Sequence, residues 1–230
     1  MIVTPRFVFL HLHKSGGTFV NTGLARFVAD ARHVGYHLPR CLIPEQFASL
    51  PLLGLVRNPW SYYVSWYSFQ RSRPRPNALF QILSDGGSLD FKATVRNMLR
   101  LDRDAGLLER VLAALPAAYT NQGLNLPSVA LAPIRGSGLG FYSFLYTYLY
   151  GPDVTAVRLA RMEHLRDEVL RLLESIGEPV TAALRDYLDA APALNTSAHA
   201  PTRELYDDDL MRLVAERDRL VIDRHGYAFS

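Results

Sequence analysis

The sequence predicts an α/β fold, a mostly parallel sheet flanked by helices on both faces. Three observations carry that expectation: compact apolar runs that end in polar or glycine-bearing turns, a helix-like segment after each, and a length of 230 residues, enough to bury a large core. In such sheets ligands bind at the carboxyl ends of the strands, so the turns that end the apolar runs are the places to look for function.

The first run, "RFVFLHLH" from Arg6 to His13, is rich in β-branched and aromatic residues and stops at glycines, which reads as a buried strand. "TFVNTGLARFVADA" then reads as a helix. After the connection "RHVGYHLPRCLIPEQFASLP", a second run, "LLGLV" (Leu52–Val56), reads as another buried strand. Asn58 is a good N-cap and Pro59 suits the first helical position, so a helix is expected to start just after Arg57. From Arg71 to Leu89 arginines and Gly/Pro breaks crowd together, and the expectation is a mobile flap. Helices are predicted near "FKATVRNMLR" and "GLLERVLAAL". The aromatic stretch "GFYSFLYTYLYG" fits both periods, since Tyr142, Phe144, Tyr146, Tyr148 and Tyr150 alternate like a strand while Phe141, Leu145 and Leu149 keep helical spacing. "VTAVRLARM" reads as a strand, "EHLRDEVLRLLESIG" as an amphipathic helix closed by Gly177, and "DDDLMRLVAERDRLVIDRHG" as one terminal helix with an acidic start. No repeat and no boundary is visible, so residues 1–230 read as a single domain.

Composition narrows the function classes. Lys and Arg number 25 against 22 Asp and Glu, a net charge of +3 without a long basic run, which argues against a general nucleic-acid binder. The lone cysteine, Cys41, excludes an intrachain disulfide and a cysteine-based metal cluster, and suits a reducing compartment; cytoplasm is the expected location. No apolar run approaches the ~20 residues that span a membrane. The sequence leaves the oligomeric state open.

The turn after the first strand, "HKSGGT", has the ingredients of an anion site: a lysine, glycines and a following helix N-terminus. Its order differs from the phosphate loop of nucleoside triphosphatases, G-x-x-x-x-G-K-[ST], because Lys14 precedes Gly16 and Gly17. The second strand ends in "RNPWSYYVSWY". On a helix that begins at Pro59, Ser61, Ser65 and Ser68 share one small polar face, while Tyr62, Trp66 and Phe69 make a large apolar one. An anion could approach the serine face, with Arg57 making a charge-assisted contact.

At these two motifs the chain resembles the sulfotransferases that use 3′-phosphoadenosine 5′-phosphosulfate (PAPS), especially the carbohydrate branch and its bacterial relatives. The resemblance implies a P-loop-type fold in which Lys14, Ser15, Gly16, Gly17 and Thr18 hold the 5′-phosphosulfate. Arg57 and Ser65 would hold the 3′-phosphate, with Tyr67 also in register with the family's second motif and Tyr62 standing where that motif has an arginine. Weaker marks are "RMEHLRDEVLRLLESIG", "LNTSAH" and the closing "GYAF". Residues 72 to 150 carry no assigned motif and are the expected seat of acceptor choice.

The implied reaction moves a sulfuryl group to an acceptor hydroxyl on a carbohydrate or small molecule, with no metal. A general base is then needed, and histidine is the side chain best suited at neutral pH. His37, in the connection between the two motifs where glycan sulfotransferases of the closest-looking type carry a catalytic histidine, is the first candidate; His13, His33 and Glu45 are the others. His11 reads as a core histidine. A histidine base predicts a rate that rises with pH through about 6.5. The alternatives are a P-loop nucleotide or small-molecule kinase, which needs Mg²⁺ and a strand-end acidic ligand, and a noncatalytic nucleotide-binding protein on the same fold.

Overall fold

A computed structural model describes residues 1–192 and 200–229. "LNTSAH" falls outside the described residues. The chain divides into two compact units, one of residues 1–57 and 147–196, the other of residues 58–146 and 197–230.

The first unit holds the five strands found among the described residues: β1 (Ile2–Val3), β2 (Val8–Leu10), β3 (Arg32–His33), β4 (Leu52–Val56) and β5 (Val157–Arg161). They lie in the order β3-β1-β2-β4-β5. β2 with β4 and β4 with β5 are parallel, whereas β1 runs antiparallel to both β2 and β3. The sheet is therefore mixed, which corrects the expectation of a mostly parallel one. Two two-residue strands cause the difference. Thr4 folds the chain back between β1 and β2, its hydroxyl donating to the Phe7 carbonyl (3.1 Å) and accepting from the Phe7 amide (3.0 Å), the side-chain turn that threonine supports.

Helix α1 (Gly17–Phe27) and the helices Leu165–Glu174 and Ala182–Ala190 flank this sheet. Their apolar faces bury Phe19, Val20, Leu24, Val169, Leu173, Leu184 and Leu188 against Phe7, Phe9, Leu53, Leu55 and Ala160 of the strand region. Side chains alternate across a strand, so Gly54, between Leu53 and Leu55, looks the other way. There the Tyr150 ring lies over it, and the Tyr150 hydroxyl both accepts from the Leu55 amide (2.9 Å) and donates to the Leu55 carbonyl (2.5 Å). The Leu55 backbone groups are thus satisfied on the side where the shorter β2 has already stopped.

The second unit is helical among its described residues. Helix α2 (Pro59–Arg71) starts where the sequence predicts, with the Asn58 side chain accepting from the Trp60 amide at 3.1 Å. The stretch read as a mobile flap contains a helix, Ala78–Leu83, whose Leu79, Phe80 and Leu83 are buried; three apolar anchors fix it in spite of the surrounding breaks. Helices Phe91–Leu99 and Ala105–Ala114 follow as expected, each capped by an aspartate, Asp90 or Asp104. The ambiguous aromatic stretch is a helix, Phe141–Tyr150. The predicted single terminal helix is two, Asp208–Arg217 and Arg219–His225, broken at Asp218. Asp218 is wholly buried, accepting from the Tyr63 hydroxyl (2.6 Å) and from the Ser143 amide (2.8 Å) in the first turn of helix Phe141–Tyr150. The closing "GYAF" is tied in by the Asn58 amide group, which donates to the Ala228 carbonyl at 2.8 Å.

Candidate functional site

The first unit brings Lys14 and Arg57 together. Each follows one of the adjacent parallel strands β2 and β4 at its carboxyl end, and an Arg57 Nη1 donates to the Lys14 carbonyl at 2.8 Å. That carbonyl is presented by a left-handed residue: Lys14 has φ 53°. The other non-glycine residues of positive φ among the described ones are Asp, Asn and His, types that tolerate this region, so a lysine there is a local strain of the sort found at binding sites.

Gly16 (φ 82°) ends the turn and caps α1. A Cβ at Gly16 would stand 2.5 Å from the Met162 sulfur, and one at Gly17 would stand 1.8 Å from the His11 ring, so both positions require glycine. Ser15 is fully buried and its hydroxyl donates to the His13 carbonyl (3.2 Å), within the turn itself. Thr18 is half-buried in the first turn of α1, and its carbonyl accepts from the Thr22 hydroxyl at 2.9 Å.

Burial and the neighbouring Arg57 guanidinium together lower the Lys14 pKa to about 8, burial being the larger cause. The Arg57 charge lies near enough to Lys14 to disfavour its charged form, and a bound anion would relieve that repulsion. The fit to a phosphate- or sulfate-bearing ligand rests on that pair and on the glycine backbone beside it.

His37 adjoins the turn through His13. The two rings stack with centroids 3.6 Å apart, and the His11 ring lies 4.3 Å from His37 on a tilt of 52°. His37 Nδ1 is 2.7 Å from the His11 carbonyl oxygen. A carbonyl only accepts, so Nδ1 carries the proton and Nε2 is the bare nitrogen able to take one. Burial first, then the charges of His13 and His11, push the His37 pKa well below its ordinary value. The base candidate is accordingly neutral throughout the neutral range, and its protonation lies lower than the pH of about 6.5 read from the sequence.

The other candidates are placed differently. His13 is buried and supports the His37 ring. His33 is exposed on the edge strand β3, with its ring 4.7 Å from Tyr36. Glu45 is exposed in a single 3₁₀ turn, Glu45–Phe47. Ser65 belongs to the second unit, where it is buried on α2 at 6% exposure. On α2 Tyr62, Tyr63, Val64, Ser65, Trp66 and Tyr67 are all buried, while Ser61 and Ser68 of the serine face are half-buried, as is Phe69. Tyr62 stacks on Tyr142 with centroids 4.1 Å apart, and the Tyr67 hydroxyl donates to the Leu89 carbonyl at 3.4 Å.

The sequence reading missed Asn21. It lies one turn beyond Gly17 on the buried face of α1, and its Nδ2 is 3.1 Å from His11 Nδ1. Its signal was a polar residue among buried apolar ones, between Val20 and Leu24. Among the described residues no group of three or more His, Cys, Asp or Glu side chains is arranged to hold a metal ion, and no helix is long and apolar enough to cross a membrane. Comparison with protein-family models, curated proteins and solved structures finds no match to this chain.

Proposed function

We propose that the protein is a PAPS-dependent sulfotransferase of P-loop-type fold acting on an acceptor hydroxyl of a carbohydrate or small molecule. The observation that supports this best is the pairing of Lys14 with Arg57 at the ends of neighbouring parallel strands, beside a glycine turn that opens a helix. In this reading Lys14 and the backbone of Ser15, Gly16, Gly17 and Thr18 take the 5′-phosphosulfate, and Arg57 takes the 3′-phosphate. Ser65 remains a candidate on its motif alone.

The acceptor oxygen attacks sulfur, and the bond between sulfur and the bridging phosphate oxygen breaks. 3′,5′-ADP leaves with the electron pair, and the acceptor proton passes to His37 Nε2. Lys14 stabilises the charge that gathers on the leaving oxygen, an electrostatic role that needs no metal. His37 is the candidate base because its Nδ1 bond to the His11 carbonyl leaves Nε2 bare.

Calorimetry with 3′,5′-ADP, 5′-AMP and ATP with Mg²⁺ tests the reading. 3′,5′-ADP should bind far better than 5′-AMP, and Arg57→Ala should remove most of that preference, a loss of roughly 1.5–3 kcal/mol for a hydrogen bond to a charged group. Equal affinity for 3′,5′-ADP and 5′-AMP overturns it. Preference for ATP with Mg²⁺ would indicate a kinase, and 3′,5′-ADP binding without turnover on a broad acceptor panel a noncatalytic nucleotide-binding protein.

A further inference from the structure

His11 is held on every side by parts of the candidate site. Its ring fills the space in front of Gly17, where a Cβ would stand 1.8 Å from Cδ2 and 2.1 Å from Nε2. One helical turn on, Asn21 Nδ2 meets its Nδ1 at 3.1 Å. Residues four apart lie on one helix face, so α1 grips the ring through its first residue and again through its fifth. On the other side the His11 ring and carbonyl both touch His37, the ring at 4.3 Å between centroids and the carbonyl at 2.7 Å from Nδ1.

The chemistry of these contacts fixes both imidazoles. An amide nitrogen only donates, so His11 Nδ1 is bare and Nε2 carries its proton. Burial, more than the nearby positive charges, keeps His11 well below its ordinary pKa, in the neutral form that this contact requires. His37 is then the opposite tautomer, with the proton on Nδ1 and the lone pair on Nε2. His11 is 3% exposed, and a side chain packed so tightly cannot move without moving what it touches.

We infer that His11, locked by Asn21, is a positioning residue that couples occupancy of the Lys14–Thr18 turn to the orientation of His37. An anion drawn onto the turn shifts the first residues of α1; Gly17 and Asn21 carry the His11 ring with them, and the His11 carbonyl and ring realign His37. The inference deepens the sulfotransferase reading and rests on it for the meaning of His37 as a base, while the coupling itself is observable without turnover.

The test is nitrogen NMR of the histidine rings in the wild type and in Asn21→Leu and Asn21→Ser, with inorganic pyrophosphate and 3′,5′-ADP as separate probes. In the wild type His11 should appear as the Nε2–H tautomer and His37 as the Nδ1–H tautomer, both neutral at pH 6.5, and each probe that binds should shift the His37 ring signals. In Asn21→Leu, which removes the donor, the probe-induced His37 shift should fall by at least half while affinity for the probe changes less than threefold. Asn21→Ser, which keeps a donor, should restore part of it. An accepted acceptor adds a kinetic reading: kcat lowered at least fivefold in Asn21→Leu with the donor KM nearly unchanged.

A His37 ring in the Nε2–H tautomer overturns the inference, and so does a probe-induced shift of equal size in all three proteins. Should neither probe bind, the turn is not an anion site and both the inference and the sulfotransferase reading fall. Should pyrophosphate bind and move His37 while 3′,5′-ADP shows no preference over 5′-AMP, the coupling stands and the nucleotide assignment fails.

Discussion

The two units bury ionisable groups of opposite kinds. In the first, bases are set beside other bases, Lys14 next to Arg57 and His37 against His13 and His11, and the pKa values of Lys14, His37 and His11 are lowered by burial and by like charge. In the second, the buried group is an acid wrapped in donors, Asp218 with Tyr63 and Ser143, its pKa raised by burial to about 6. A second buried acid there, Asp102, is paired with the equally buried Arg217. The difference separates two uses of buried polarity. Asp218 is held by donors of the fold and ties helix ends together, whereas Lys14 and Arg57 bring two positive charges to one turn, where a bound anion would lower their repulsion.

The largest effect that would break this contrast is expected in the first unit. His37→Ala should lower turnover roughly 10²- to 10⁴-fold, the range for a positioned acid or base, and leave 3′,5′-ADP affinity close to that of the wild type. Parallel steady-state measurements on His13→Ala, His33→Ala and Glu45→Ala supply the comparison. If one of those abolishes turnover while His37→Ala stays active, the base is that residue. In the wild type the rate should be flat from neutral pH down through about 6.5, because His37 protonates well below the ordinary histidine value.

Next in size is the loss of the acid that anchors the second unit. Asp218→Ala strands the Tyr63 hydroxyl and the Ser143 amide in a buried site, and should cost about 3–5 kcal/mol in urea unfolding. Asp218→Asn, which keeps the volume and an accepting oxygen, should cost markedly less. Equal losses would mean that volume and a single accepting oxygen do not suffice, and that both carboxylate oxygens are needed.

Stability against pH sharpens the comparison further, because the two units pull in opposite directions. Asp218 binds its proton more tightly folded than unfolded, so its contribution is fully present below pH 3.8 and is lost as pH rises through about 6. A shift of that size corresponds to about 3 kcal/mol. His11 and His37 bind theirs less tightly folded than unfolded, so their contribution is present above pH 6.5 and is lost as pH falls below it. Asp218→Asn should therefore leave a steeper loss of stability on acidification between pH 6.5 and 4 than the wild type shows. Unfolding curves with the same pH slope in both proteins would contradict the assignment.

The smallest expected effect is a proton count. A phosphate bound beside Lys14 raises its pKa from about 8, so 3′,5′-ADP binding near pH 8 should take up a fraction of one proton and weaken at higher pH. Calorimetry in two buffers of different ionisation enthalpy measures it, and Lys14→Ala should abolish it.

What the sequence made legible was local. Strands β2 and β4, the turn between Lys14 and Thr18 and the Asn58–Pro59 helix start all announce themselves through short-range pattern, apolar runs and capping chemistry. Strands β1 and β3 have two residues each, too few for any period, and they alone make the sheet mixed. Asp218 looks like one more polar residue on an amphipathic helix; only its distant partners, Tyr63 and Ser143, explain why the helix breaks there. At the site the same rule holds. Lys14 and Arg57 were visible in their motifs, but the contacts joining His11 to Gly17, Asn21 and His37 connect residues whose sequence neighbourhoods say nothing of one another.

The left-handed backbone at Lys14 sets up a trade-off between robustness and chemistry. A lysine there costs on the order of 1 kcal/mol against glycine in the same conformation, so a chain selected for robustness alone would carry glycine at position 14. Lys14→Gly and Lys14→Ala both delete the amine, but only the first also relaxes the backbone. The gap in melting temperature between those two variants is a direct gauge of how much thermal resilience the fold gives up to keep an amine at the end of β2.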